Sequence, residues 1–343
     1  MRILVTGGAG FIGSHFIRAW LKAHPADTVV NLDALTYAGS SERLADVDER
    51  RHALLHGDIC DGAIVEQAIA GCELLVHCAA ETHVDRSITN AAKFLRTNIE
   101  GTRVLLEAAR AAGVKRVIHI STDEVYGPVL NGAVEETAPL APKSPYAASK
   151  AAGDLLAQSY YATYGLPVIV VRPTNCYGPG QFPEKLIPLA ITNVLDGRSV
   201  PVYGDGQQRR AWLFVTDACA AIQAVIERGA LGEVYNVAGE SEQPNLQTVG
   251  MILELLRASA SLIEHVADRP GHDRRYAMRD DRLRALEWQP RVTFADGLAR
   301  TTAWYRTQEM WWRPLVRQLR EDSYHWLNRS AGPSPHQAAR SAP

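Results

Sequence analysis

A short aliphatic run, Arg2 to Thr6, passes directly into Gly7, Gly8, Ala9, Gly10, Phe11, Ile12 and Gly13, and from there into a helical pattern over about 11 to 23. A glycine-dense turn between a strand and a helix constrains the fold more than any other feature of the chain. Glycine permits positive φ and close approach of a phosphate, and the helix N-terminus behind it presents free amides and a favourable dipole. The spacing fits two registers, Gly8/Gly10/Gly13 and Gly7/Gly10/Gly13, so the glycines alone do not settle how the loop wraps. The next strand-like run, Thr28 to Asp33, ends on a carboxylate twenty residues beyond Gly13. In a βαβ unit a carboxylate there accepts hydrogen bonds from an adenosine ribose and repels a 2′-phosphate, which points to NAD rather than NADP. Arg43 lies close enough in sequence to keep NADP open. The expected cofactor residues are Gly7, Gly10, Phe11, Ile12, Gly13 and Asp33. Asp58 and Ile59, after the third strand, are placed for the adenine, and Ala79 with Ala80, after the fourth, leave the cofactor room.

Aliphatic runs at Ala53 to His56, Leu74 to Cys78, Arg116 to Ser121 and Val168 to Arg172 continue the pattern, several without polar alternation, as strands covered on both faces read. Helical segments at about 62 to 70, 90 to 112 and 144 to 164 lie between them. The order predicts an α/β fold with a doubly wound, parallel, Rossmann-type sheet over residues 1–172, with ligands at the carboxyl ends of the strands. From Pro173 the rhythm changes to clustered Pro and Gly, and a smaller mixed α/β lobe is expected over 173–320, with part of 211–240 returning to the first domain. Phe214 to Ile226 and Leu246 to Leu256 read as helices, and Glu233 to Val237 as a strand. The small, polar stretch 321–343 reads as a disordered tail.

The net charge of −2 offers no excess of cations for nucleic acid. No signal-like N-terminus or bilayer-length apolar stretch is present, so a cytoplasmic protein without a membrane partner is expected. The five cysteines, Cys60, Cys72, Cys78, Cys176 and Cys219, are odd in number and mostly set in apolar runs, as buried thiols in a reducing compartment. His77 beside Cys78 has no partner at metal-ligand spacing, so no metal is expected.

Two clusters carry chemistry. Tyr146 and Lys150 stand four apart on a helix, so their side chains are expected to meet, and the ammonium with a positive nicotinamide ring lowers the phenol toward neutral pH. Tyr146 would then take a proton from a substrate hydroxyl as hydride leaves the same carbon. Thr122, Asp123 and Glu124 follow the fifth strand, where this fold places ligands. Both carboxylates reach one substrate only if the chain turns as it leaves the strand, a turn expected at Val125 to Pro128. Different burial can hold one acid protonated and its neighbour ionised, which an elimination needs.

The segments TGGAGFIGSH, LTYAG, AAETHVDRSI, TNIEGT, STDEVYG, SPYAASK, GPGQFPEKLIPL and DRPGHDRRYA follow one another in order. Over roughly the first 310 residues the chain resembles the dTDP-glucose 4,6-dehydratases, extended members of the short-chain dehydrogenase/reductase superfamily. Nucleotide-sugar 4-epimerases resemble it in fold but typically lack the Asp and Glu after the Thr. The resemblance implies catalysis by Thr122, Asp123, Glu124, Tyr146 and Lys150. Tyr146 is implied as base at C4, Glu124 as base at C5, Asp123 as acid at the C6 hydroxyl, with NAD taking and returning the hydride. It further implies that Asn98 steadies the cofactor site and that Thr82 and His83 face the hexose. Asn175, Lys185 and Leu186 fall to the diphosphate, and Tyr203, Arg210, Asn245, Arg269 and His272 to the nucleotide. A nucleotide-diphosphate sugar is the implied substrate, and a homodimer through helices 90–112 and 144–164 the implied assembly. Cys176 after Asn175, and Ala211 after Arg210, depart from the family pattern in the substrate lobe. They leave open another nucleotide sugar, such as a UDP-glucose or UDP-amino sugar, and a 4-epimerase or decarboxylase is the nearest rival.

Overall fold

The computed structural model describes residues 1–239 and 241–321. Strand β1 (Arg2–Thr6) buries Ile3 and Val5 against one face and Leu4 against the other, so the sheet it starts is covered on both sides. It leads through the glycine turn into α1 (Phe11–Ala23) and β2 (Thr28–Asp33), then β3 (His52–His56), α2 (Gly62–Ile69) and β4 (Leu74–His77). The crossover to β5 (Arg116–Ile120) holds α3 (Val84–Thr89), α4 (Ala91–Leu95) and α5 (Thr102–Ala112); α6 (Pro145–Tyr164) leads to β6 (Val168–Pro173).

The helix expected over 90–112 is therefore interrupted, since Arg96–Gly101 forms a π turn between α4 and α5. A π turn adds a residue to the helical circuit and often marks a functional position. Here it turns the Asn98 amide onto the chain after β4, while a Cβ on Gly101 would lie 2.6 Å from the Ile59 side chain.

Beyond β6 the chain forms β7 (Asn175–Tyr177), α7 (Leu186–Leu195), β8 (Val200–Tyr203) and β9 (Arg209–Phe214). It then returns to the first sheet through α8 (Val215–Arg228), packed beside α1, and β10 (Val234–Val237), paired with β6. The remainder comprises β11 (Ser241–Pro244), α9 (Asn245–Leu256), β12 (Ile263–Val266), α10 (Asp281–Arg284), α11 (Phe294–Thr307) and α12 (Glu309–Glu321). The tail expected over 321–343 lies, from residue 322 on, outside the described residues.

The seven-stranded sheet is parallel in the order β3-β2-β1-β4-β5-β6-β10. Strand order reverses between β1 and β4, and the crevice beyond their carboxyl ends is where such sheets bind ligands. The smaller sheets, β11-β9-β7 and β12-β8, share an aromatic core built on Tyr177, Trp212, Phe294, Tyr305 and Trp312. No helix among the described residues is long and apolar enough to cross a membrane.

Candidate active site

A cavity of about 500 Å³ opens at the switch point, lined by the glycine loop, the ends of β2 to β6 and the segment 173–185. Gly7, Gly10 and Gly13 line it, whereas a Cβ on Gly8 would strike the side chains of Asn31 and Ile17. The loop thus presents the Gly7/Gly10/Gly13 register. Gly7 has φ +70°, and a Cβ there would lie 2.6 Å from the Ala79 amide nitrogen; one on Gly13 would lie 2.4 Å from the Gly7 carbonyl. Gly10 precedes α1 without a side-chain cap, which leaves the helix amides to a ligand.

Phe11, Ile12, Asp33, Asp58, Ile59, Ala79 and Ala80 line the same cavity. Asp33 accepts from the amides of Ala9 (2.9 Å) and Leu35 (2.8 Å); burial pushes its carboxyl up, and these amides oppose the shift. Asp58 is paired with Arg96 at 2.6 Å. Arg43 also lines the cavity. Its guanidinium donates to the Gly180 carbonyl, lies 4.9 Å over Trp311, and is lowered to about 10 by burial. Asn98 does not line the cavity. Its side chain accepts from Glu81 N (2.9 Å) and donates to Glu81 O (3.0 Å) and Ser149 Oγ (2.9 Å), tying the β4 exit to α6. His77 sits at a strand end between the hydroxyls of Thr6 (2.8 Å) and Thr102 (3.1 Å).

The two acids leave β5 on a 3₁₀ turn, Asp123–Tyr126, capped by Thr122, whose hydroxyl oxygen accepts from Glu124 N at 3.3 Å. The chain therefore turns at Asp123 itself, two residues before the expected position, because Thr122 supplies the cap. Thr122, Glu124 and Tyr146 line the cavity; Asp123 is buried just behind it. Burial first, then the neighbouring Glu124, pushes Asp123 up to about 7. Burial also raises Glu124, but Arg269, Arg210 and Lys185 pull it back. The Thr174 hydroxyl lies 2.8 Å from Asp123 Oδ2 and 2.9 Å from the Ala211 carbonyl. One hydroxyl proton cannot serve both acceptors, and a carbonyl cannot donate. Thr174 donates to the Asp123 carboxylate, which opposes the rise caused by burial; a protonated Asp123 would instead donate to Thr174 and leave the Thr174 proton to Ala211.

Tyr146 and Lys150 do not meet as expected. No hydrogen bond joins them; Lys150 Nζ donates to the Ile120 carbonyl at 2.6 Å, and its burial lowers it to about 8. Burial, and next the Glu124 carboxylate, pushes the Tyr146 phenol up rather than down, with the Thr122 hydroxyl opposing. The reason is placement: the phenol faces the carboxyl turn, and the ammonium is tied to the end of β5.

Of the substrate residues, Thr82, Asn175 and Lys185 line the cavity. Lys185 donates to the Thr82 carbonyl at 2.9 Å and precedes α7, which Leu186 begins. His83 caps α3, its Nδ1 accepting from Arg86 N at 3.3 Å. Tyr203, Arg210, Asn245, Arg269 and His272 lie outside the cavity, in a second polar cluster. Arg269 and the Tyr203 hydroxyl bond Asp85 at 3.3 and 3.5 Å, and His272 bonds Asp268 at 2.6 Å. Arg210 donates to the Asp273 carbonyl at 3.0 Å and stacks over Tyr276. Arg269 Nε, Asn245 Oδ1 and Asn175 Oδ1 are buried without a hydrogen-bond partner in the protein.

Sequence reasoning missed Tyr276, whose hydroxyl bonds Asp273 (2.8 Å) and reaches Glu124 (3.4 Å), joining the cluster to the acids. It also missed Thr174, and the contact of Tyr37 with Glu184 (2.8 Å) beside Arg86, which spans the rim from the β2 exit to the α7 approach. No local pattern marks these, because Tyr276 and Glu124, Thr174 and Asp123, and Tyr37 and Glu184 are far apart in sequence. The two departures also converge on Thr174: Cys176 Sγ donates to its carbonyl at 3.4 Å, and the Ala211 carbonyl lies 2.9 Å from its hydroxyl.

Residues 3–238 match the model of the NAD dependent epimerase/dehydratase family. This chain belongs to that family. Within the NAD dependent epimerase/dehydratase family it is 54% identical over 321 residues to a dTDP-glucose 4,6-dehydratase of Streptomyces niveus, covering 92% of this chain and 96% of that one. Among solved structures it is similar to DesIV, a dTDP-glucose 4,6-dehydratase of Streptomyces venezuelae with NAD bound (TM-score 0.90, 51% identity, 92% and 100% covered). It is also similar to a dTDP-glucose 4,6-dehydratase of Bacillus anthracis in complex with NAD (TM-score 0.86, 44% identity, 92% and 99% covered).

Proposed function

We propose that this chain is an NAD-dependent dTDP-glucose 4,6-dehydratase, which makes a 4-keto-6-deoxy sugar nucleotide and releases one water. The observation that carries it is the pair of adjacent buried carboxyls in different electrostatic settings on one turn, facing a buried tyrosine. A 4-epimerase needs the tyrosine but not both acids.

NAD fits the cradle, whose close backbone approach a Cβ at Gly7 or Gly13 would fill. Gly7, Gly10, Phe11, Ile12 and Gly13 would hold its diphosphate, Asp33 its ribose, and Asp58 with Ile59 its adenine. When bound, NAD supplies the acceptor for the C4 hydride, the donor that returns it to C6, and a positive ring. Tyr146 takes the C4 hydroxyl proton, steadied by Thr122, while Lys150 holds positive charge behind it. Glu124, whose carboxyl is raised by burial but drawn back toward its ionised form by Arg269, Arg210 and Lys185, takes the C5 proton acidified by the new ketone. Asp123 delivers a proton to the C6 hydroxyl, which leaves as water. Glu124 then returns its proton to C5, and the proton taken at C4 replaces the one Asp123 gave. Thr82 and His83 are assigned to the hexose, Asn175, Lys185 and Leu186 to the diphosphate, and the cluster of Tyr203, Arg210, Asn245, Arg269 and His272 to the nucleotide. Residues 1–172 with 215–237 form the NAD domain, and the rest of 173–320 the sugar-nucleotide lobe.

We read the enzyme as a cytoplasmic homodimer. Exposed Leu95, Leu155, Tyr161 and Tyr164 on the α4–α5 and α6 helices support the dimer.

Deuterium placed at C4 of dTDP-glucose is expected at C6 of a product lighter by one water, with no external NADH consumed. Label lost to solvent, or a product of unchanged mass, overturns the reading.

A further inference from the structure

The turn that carries the acids is gripped from behind by a buried chain of side chains that the chemistry itself does not use. Tyr146, Lys150 and Asp154 succeed one another at four-residue steps on α6, so Asp154 shares their face one turn deeper. Asp154 Oδ2 accepts from Arg172 Nε on β6 at 2.7 Å, and Oδ1 lies 3.4 Å from His119 Nε2 on β5. Arg172 Nη1 donates to the Tyr126 hydroxyl at 2.7 Å and to the Glu136 carbonyl at 3.3 Å, and its guanidinium stacks 4.9 Å over the Tyr126 ring. The Tyr126 hydroxyl donates in turn to Asn236 Oδ1 on β10 at 2.7 Å. Asn236 is held by Arg279 O (3.0 Å) and Glu136 Oε1 (3.1 Å).

The proton count closes at the centre: Tyr126 accepts from a cation and donates its single proton to an amide oxygen. Asp154, Arg172, Tyr126 and Asn236 are all buried, Asp154 and Asn236 completely. Buried polar chains of this kind are stable only in one arrangement, because each unmade bond is costly in a low-dielectric interior. Tyr126 is the last residue of the turn that begins at Asp123. The chain therefore links the helix of the redox pair to the turn of the elimination pair.

We infer that Tyr126, held by Arg172 and Asn236, is a positioning residue that sets the two carboxyls against the Tyr146 face, so that it serves water elimination rather than C4 oxidation. This rests on the dehydratase reading. A displaced turn leaves Tyr146 and the glycine loop in place but moves Asp123 and Glu124 off C5 and C6, and small misplacements of reacting groups are expensive in rate.

The test is Tyr126→Phe, which keeps the ring and its stacking and removes one oxygen, with Asn236→Leu as an independent cut of the same link. In each variant, as NAD-loaded enzyme, the expected result is C4 oxidation within about twofold of wild type. Dehydration should slow by on the order of tenfold, so that reduced cofactor accumulates with substrate. Amide hydrogen exchange should rise over 122–127 in the variants without substrate and stay unchanged in α1, and the double variant should be no worse than either single one. Equal slowing of both steps, unchanged exchange over the turn, or loss of folded enzyme in both variants would overturn the inference. A wild-type control that releases no water would instead overturn the dehydratase reading.

Discussion

At the cofactor end of the cavity the protein offers mainly backbone: three glycines at three-residue spacing, the free amides opening α1, and a carboxylate held by two amides of its own chain. At the sugar end it offers side chains from widely separated segments, among them Glu124, Tyr146, Thr174 and Lys185, with Tyr276 reaching in from residue 276. The first end is a local device, and its tolerances are steric. The second is assembled by the fold, and its tolerances are electrostatic, since buried carboxyls, a phenol and an ammonium all sit away from their ordinary ionisation ranges. A steric fault should remove the cofactor altogether, whereas an electrostatic fault should stop one chemical step and spare others.

Glu124→Gln tests that contrast most severely. Water loss should fall by about 10³-fold while C4 oxidation continues, read from product mass and single-turnover reduction of the cofactor. Normal dehydration would strip Glu124 of its role. Gly13→Ala should act oppositely: its Cβ at 2.4 Å from the Gly7 carbonyl forces the loop apart, so purified protein should carry little NAD and lose about 1–3 kcal/mol of stability. A variant that retains NAD would mean that the loop gives way more easily than its packing indicates.

Asp123 separates the two ends by pH. Its carboxyl is raised to about 7, so the acid form needed for water loss declines as pH rises through that value, and the wild-type dehydration rate should fall on the alkaline side with it. A raised carboxyl contributes stability that is complete below the unfolded value near 3.8 and is lost as pH climbs through the folded one. Asp123→Asn should therefore be inactive in dehydration yet more stable than wild type at pH above about 8, by roughly 1–2 kcal/mol. Equal stability of variant and wild type above about pH 8 would contradict the buried charge. The smallest effect belongs to the rim: Tyr37→Phe removes the 2.8 Å bond to Glu184 and should speed NAD release about fivefold with little change in the chemical steps.

The strands of the main sheet were legible because most are dominated by aliphatic residues, and α1 because the glycine turn stands directly before Phe11. Ser144 caps α6, its hydroxyl accepting from Ala147 N at 3.1 Å. The π turn at Arg96–Gly101 was not legible, since nothing local distinguishes Asn98 facing Glu81 from a helical asparagine facing solvent. Nor was the separation of Lys150 from Tyr146, because four-residue spacing puts two side chains on one face without saying what else competes for the ammonium; the Ile120 carbonyl wins.

By itself the sequence determined the order of strands and helices, the glycine cradle with Asp33 opposite it, and the residue types able to exchange hydride and protons. These follow from short-range rules: side-chain periodicity and glycine's tolerance of positive φ. Only the tertiary structure decided how far burial and neighbours raise each acid, where the ammonium goes, and how Tyr126, Arg172 and Asp154 grip the turn. Those outcomes depend on burial and on partners up to 152 residues away, as with Tyr276 and Glu124. The energy of a charge or hydrogen bond is set by the low-dielectric surroundings that folding creates.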